Sequence, residues 1–182
     1  MRATLAVPVA LLLAVACARE PPRELPIAAA EMPASFVYGG LGPASAHYRQ
    51  GTDPRTGADV RQMIMSSRDE AAAFAVVALK GQYVFTPTAF RRRLASLLPP
   101  DQEVEWQDSL QATSPRPTKI VTFALPGRHQ QCVGVERGVQ DHHEAPRNVY
   151  NRAIALGYYC RQGASFSPDE ARRVAAALRT AG

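Results

Sequence analysis

Residues 119–137 read KIVTFALPGRHQQCVGVER, and this stretch decides the fold. Lys119 to Leu125 and Gln131 to Arg137 are short runs rich in Val, Ile and Phe, joined across Pro126-Gly127, a turn dipeptide. A third run of the same kind, Arg152 to Arg161, carries Ile154, Leu156, Tyr158 and Tyr159. Cys132 lies in the second run and Cys160 in the third. If they face each other on adjacent antiparallel strands, Gly134 pairs with Tyr158 and Glu136 with Leu156. Both cysteines then share one sheet face with Tyr158 and Leu156. Glu103 to Gln107, with Val104 and Trp106, reads as a further strand, and Phe36-Val37-Tyr38 as a short one.

Helix signals flank these strands. Ser167-Pro168-Asp169-Glu170 is a capping box with Pro at the first helical position, and Ala171, Val174, Ala175 and Leu178 follow at helical spacing. A second helix is expected from Pro87 to Leu98, with Thr86 as cap and Pro99-Pro100 as the stop. It places Phe90, Leu94, Leu97 and Leu98 on one face, and Arg91, Arg92 and Arg93 mainly away from the core. Ser67 to Lys80 fits two templates. Ser67 with Glu70 has capping-box spacing, whereas Phe74 to Leu79 reads as a buried strand; the balance favours helix by a little. Ser35 to Asp59, rich in Gly and Pro, reads mostly as loop. The expected fold is α+β, an antiparallel sheet of about four to five strands with two or three helices on one face, in a single domain over residues 35–182.

Composition agrees with a globular domain. The chain has 182 residues, 21 Lys plus Arg against 16 Asp plus Glu, and 46% hydrophobic residues, which excludes wholesale disorder, collagen and coiled coil. The apolar run nearest to spanning length lies at the extreme N-terminus, so a multi-span membrane protein is excluded as well. There, Arg2 precedes an apolar stretch from Leu5 to Val15 and small residues before Cys17, the pattern of a signal peptide over residues 1–16.

Leu13-Ala14-Val15-Ala16-Cys17 resembles the bacterial lipobox. The resemblance covers this segment alone and implies that Cys17 is acylated and becomes the new N-terminus. With Ala18 rather than Asp next, it further implies an outer-membrane lipoprotein facing the periplasm. Ordinary signal cleavage remains the alternative, since Ala14-Val15-Ala16 also satisfies the small-x-small rule. Residues 17–34, with Pro21, Pro22, Pro26 and Pro33, read as a tether. If Cys17 carries lipid, Cys132 and Cys160 remain as an even pair in a disulfide-permissive compartment, and one bridge is expected.

The densest ionisable cluster lies in Gln140 to Asn151, where Asp141, His142, His143, Glu144 and Arg147 occupy a connection longer than a hairpin needs. With its base clamped by the bridge, this loop is the candidate binding site, and His142, His143, Glu144 and Arg147 suit a polar or anionic partner. The histidines and Glu144 are also ligand types for zinc or copper, with His47 and His129 as residues that would complete a site. The spacing matches no ligand pattern, and no metal or cofactor is expected. No GxSxG, HExxH, P-loop or GxGxxG occurs, so no catalytic residue is assigned. After removal of Arg2 the charge is +4, from 20 basic and 16 acidic residues. Arg91 to Arg93 and Arg172-Arg173 read as solvated helix faces, with anionic headgroups or an acidic partner as the rival reading. Nucleic-acid binding is poorly supported in an exported chain. The functional expectation is an envelope lipoprotein with a binding or assembly role, membrane-held through Cys17. The rival is a periplasmic enzyme or metal-handling protein using the 140–151 loop.

Overall fold

The computed structural model describes residues 24–53, 57–78, 87–99, 101–112, 118–139 and 153–180. In chain order the elements are β1 (Leu25–Pro26), β2 (Ala34–Phe36), β3 (Ala46–Thr52), β4 (Asp59–Ser66), β5 (Glu70–Ala78), α1 (Pro87–Ala95), β6 (Glu105–Ala112), β7 (Thr118–Leu125), β8 (Gln130–Val139), β9 (Ala153–Gln162), α2 (Pro168–Ala177) and β10 (Leu178–Thr180). One eight-stranded sheet runs β1-β3-β4-β5-β9-β8-β7-β6, and β10 pairs with β2 in a second, two-stranded sheet. All neighbours are antiparallel. The large sheet is two meanders, β3-β4-β5 and β6-β7-β8-β9, joined where β5 pairs with β9.

The fold is therefore an antiparallel sheet with two helices, but it has more strands than the four to five expected. The additions are β1, β3, β4 and β10, with β5 taking the place of a helix. The β3 sequence, AHYRQGT, is largely polar, so it lacks an apolar alternation, yet it pairs along its whole length with β4. In β5, both faces are covered because it is central, and the resulting continuous apolar run imitates a helix. Ser67 to Glu70 is a hairpin turn and not a capping box: the Ser67 N–H donates to the Glu70 carbonyl at 2.9 Å.

Strand alternation divides the sheet into two faces. Cys132, Gly134 and Glu136 of β8 point to one, with Phe123, Val121 and Lys119 of β7 beside them and Cys160 and Tyr158 of β9 on the other side. Helix α1 covers this cysteine face, packing Phe90, Leu94 and, just beyond its end, Leu98 against Val121, Phe123 and both cysteines. Val133 and Val135, Tyr159, Phe74, Met63 and Ile120 point to the opposite face. There α2, β2 and β10 supply Ala171, Val174, Ala175, Phe36 and Leu178 to the larger core. The helices thus sit on opposite faces, against the expectation of one. An apolar stripe at helical spacing says that a helix packs, not on which side of a sheet.

Two glycines set how closely the layers approach. A Cβ at Gly134 would lie 2.1 Å from Leu94 Cδ2, so α1 seats its central leucine where β8 has no side chain. At Gly157 a Cβ would lie 2.2 Å from the Ala73 carbonyl oxygen and 2.4 Å from Phe74 Cδ1, at the seam between the meanders.

The capping box at α2 forms as read from the sequence: the Glu170 N–H donates to Ser167 Oγ at 3.3 Å and the Ser167 N–H to Glu170 Oε2 at 3.0 Å. At the other end of α2, the buried Arg137 guanidinium donates to the carbonyls of Ala175 at 3.1 Å and Leu178 at 2.7 Å, and to Thr118 Oγ1 at 2.9 Å. A cation there satisfies carbonyls that the helix leaves open and complements its dipole. Residues from Glu24 on, read from the sequence as tether, are instead laid along the sheet. Leu25 and Pro26 pair with Gln50 and Arg49 of β3, the Ile27 N–H donates to the Tyr48 carbonyl at 3.2 Å, and Met32 is buried. Among the described residues, no helix is long and apolar enough to cross a membrane.

Candidate functional site

Cys132 and Cys160 are joined by a disulfide, each fully buried, with Cα atoms 4.1 Å apart. The register around them is the one expected, Gly134 opposite Tyr158 and Glu136 opposite Leu156. Cys17 and the loop residues Asp141, His142, His143, Glu144 and Arg147 lie outside the described residues. The residues flanking that connection, Val139 and Ala153, are paired with each other. The bridge does not clamp them: from Cys132 to Val139 is seven residues along β8, about 23 Å at roughly 3.3 Å each. A disulfide needs only a facing pair, and this one formed near the other end of the hairpin. His129, in the β7–β8 turn, and His47, paired with Ile64, both belong to the disulfide end of the sheet. Nothing in the strand order therefore carries them to the Val139–Ala153 end. Among the described residues, no group of three His, Cys, Asp or Glu side chains is placed to hold a metal ion.

The triple arginine does not face away as a block. Three consecutive helical residues sweep about 200° of the helix surface, so one of them must turn toward the sheet beside Leu94. Arg93 does: its Nε donates to Glu136 Oε2 at 2.8 Å and its Nη2 binds the same oxygen. The Glu136 side chain is wholly buried, and Lys119 Nζ lies 4.0 Å from its Oε1. Burial lowers the Lys119 pKa; Glu136 opposes that and Arg93 adds to it. Arg93 and Lys119 thus both face the Glu136 carboxylate under the helix. Arg91 reaches the other way, its Cζ 5.5 Å from the centre of the Trp106 ring and its Nη2 donating to Ser109 Oγ at 3.1 Å. Arg92 is exposed. Arg91 and the exposed Arg92 thereby form a cationic patch on α1 with Trp106 at its edge.

A second polar cluster sits on the opposite face at the disulfide end. Tyr159 donates to Glu70 Oε1 at 2.5 Å, and the Gly40 N–H donates to Oε2 at 2.7 Å. Burial raises the Tyr159 pKa, and the hydrogen bond to Glu70 and its charge push it further. Arg161, opposite Glu70, pairs with Glu170 at 3.1 Å and stacks over Phe166 with Cζ 4.2 Å from the ring centre. These groups satisfy one another, and their chemistry is that of a fastening between β5, β9 and α2.

Glu136 and Lys119 were missed as site residues, although a signal existed. The cysteine register already set Glu136 on the face of Cys132 and Leu156, and a carboxylate in a buried row requires a cation. No protein-family model, curated protein or solved structure matches the chain.

Proposed function

We propose that this chain is an envelope lipoprotein, anchored through acyl groups on Cys17, whose folded domain binds a polar or anionic partner. The observation that carries the reading is the bond between Cys132 and Cys160. It fits a chain that folds outside the reducing cytosol. It also accounts for two of the three cysteines, leaving Cys17 as the third, directly behind an apolar run and small residues. A partner-binding role is supported by His142, His143, Glu144 and Arg147 in the connection that follows Val139, and by Arg91 and the exposed Arg92 on α1. Replacing Cys17 by Ser tests the anchor. The parent should fractionate with membranes and the variant should be released; a variant that partitions as the parent does refutes the reading.

A further inference from the structure

Attachment of Glu24 and its successors to β3 shortens the free chain behind Cys17. Leu25 and Pro26 are paired in the sheet, Glu24 is ion-paired to Arg49, and Arg61 Nη1 donates to the Glu31 carbonyl at 2.7 Å. Between Cys17 and Glu24 stand six residues, Ala18 to Arg23. Even fully extended, those seven links span at most about 25 Å, about two fifths of what a tether ending near residue 34 would reach.

We infer that the β1–β3 edge is the side of the domain held toward the membrane surface, with the α1–β6 side presented away from it. The inference rests on the Cys17 anchor proposed above. Strand order supplies the rest: β1 and β6 are the two edges of the eight-stranded sheet. Seven interstrand spacings of about 4.8 Å put them roughly 34 Å apart. The β1 edge therefore stays within the short reach of the anchor, facing lipid headgroups, while Arg91, Arg92 and Trp106 can stand tens of ångströms further out. A partner meeting the cationic patch of α1 approaches from the aqueous side, and the bilayer shields the β1–β3 edge from strand addition.

The sole tryptophan of the chain, Trp106, lies on β6 and serves as a native reporter of the far edge. Leu25, at 54% exposure on β1, accepts a second tryptophan without disturbing a core. The full lipidated protein is incorporated into phosphatidylethanolamine–phosphatidylglycerol vesicles containing a headgroup-labelled fluorescent acceptor. Energy transfer is then compared between the parent and Leu25→Trp. Transfer from the parent should be weak, and the added tryptophan should raise it several-fold. Inserting a long Gly/Ser linker between Arg23 and Glu24 should abolish that rise while the protein still floats with the vesicles. Flotation with equal transfer from the two positions, or with a rise that survives the linker, overturns the orientation alone. Failure of the parent to float overturns the anchor reading and the orientation with it.

Discussion

Replacing Gly134 by Ala and Leu94 by Ala, singly and together, asks whether α1 rests on the cysteine face as described. Leu94 is fully buried, so Leu94→Ala should cost about 2–5 kcal/mol from lost burial and the cavity left behind. Gly134→Ala forces a methyl to within 2.1 Å of Leu94 Cδ2 and 2.9 Å of Val121 Cγ1, an overpacking worth about 1–3 kcal/mol. In the double variant the closest of these atoms is gone and the new methyl occupies part of the cavity. The pair should therefore be no less stable than Leu94→Ala alone, a coupling of about 1–3 kcal/mol in the favourable direction. Urea denaturation followed by Trp106 fluorescence measures all three, since Trp106 packs on Phe123 beneath the Arg91 end of the helix. Gly157→Ala is the control. Its Cβ meets the Ala73 carbonyl and Phe74, which Leu94→Ala cannot relieve, so those two changes should simply add. Additivity within about 0.5 kcal/mol for Gly134→Ala with Leu94→Ala would refute the contact and the seating of α1 with it.

Reduction of the Cys132–Cys160 bridge, which closes 28 residues of sequence separation, should lower stability by about 3–4 kcal/mol in the chain-entropy account; an unchanged urea midpoint after complete reduction would contradict that. Arg93→Met should cost about 3 kcal/mol, the lower end for a broken buried pair because Lys119 stays near Glu136; an unchanged urea midpoint would contradict that. Above about pH 10, stability should fall as pH rises: unfolded tyrosine ionises there, while Tyr158 and Tyr159 have raised folded pKa values and hold their protons. Lys119, lowered in the fold, acts in the opposite sense below its ordinary pKa, so a Tyr159→Phe variant that leaves the alkaline slope unchanged would remove Tyr159 as the cause. Replacing His142, His143, Glu144 and Arg147 by Ala should leave thermal stability within about 0.5 kcal/mol per site while reducing cross-linking to envelope partners; easy unfolding with cross-linking retained would place binding elsewhere.

The C-terminal half of the fold was legible because its constraints are local and mutually consistent. Two cysteines fixed one register, and that register assigned faces to Glu136, Leu156 and Tyr158 before any packing was considered. Ser167 and Glu170 likewise announced α2 by a hydrogen-bond pattern internal to four residues. The N-terminal half failed for complementary reasons. β3 takes its stability from the ladder to β4, which its polar sequence does not advertise, and the alanines of β5 carry no strand preference of their own. Of the candidate site, the bridge was legible, whereas the turn of Arg93 toward Glu136 depends on which face α1 covers, a tertiary choice no periodicity encodes. The disulfide's distance from the 140–151 connection was overlooked for a simpler reason: pairing continues seven residues beyond Cys132 to Val139.

The central claim is that Cys17 carries the membrane anchor, and intact-mass and N-terminal peptide analysis of the protein purified from membranes addresses it directly. The account predicts a chain beginning at Cys17, lacking residues 1–16 and heavier than its sequence by covalently bound acyl groups on that residue. A chain that begins at Ala18 or elsewhere, or at Cys17 with no added mass, would contradict it.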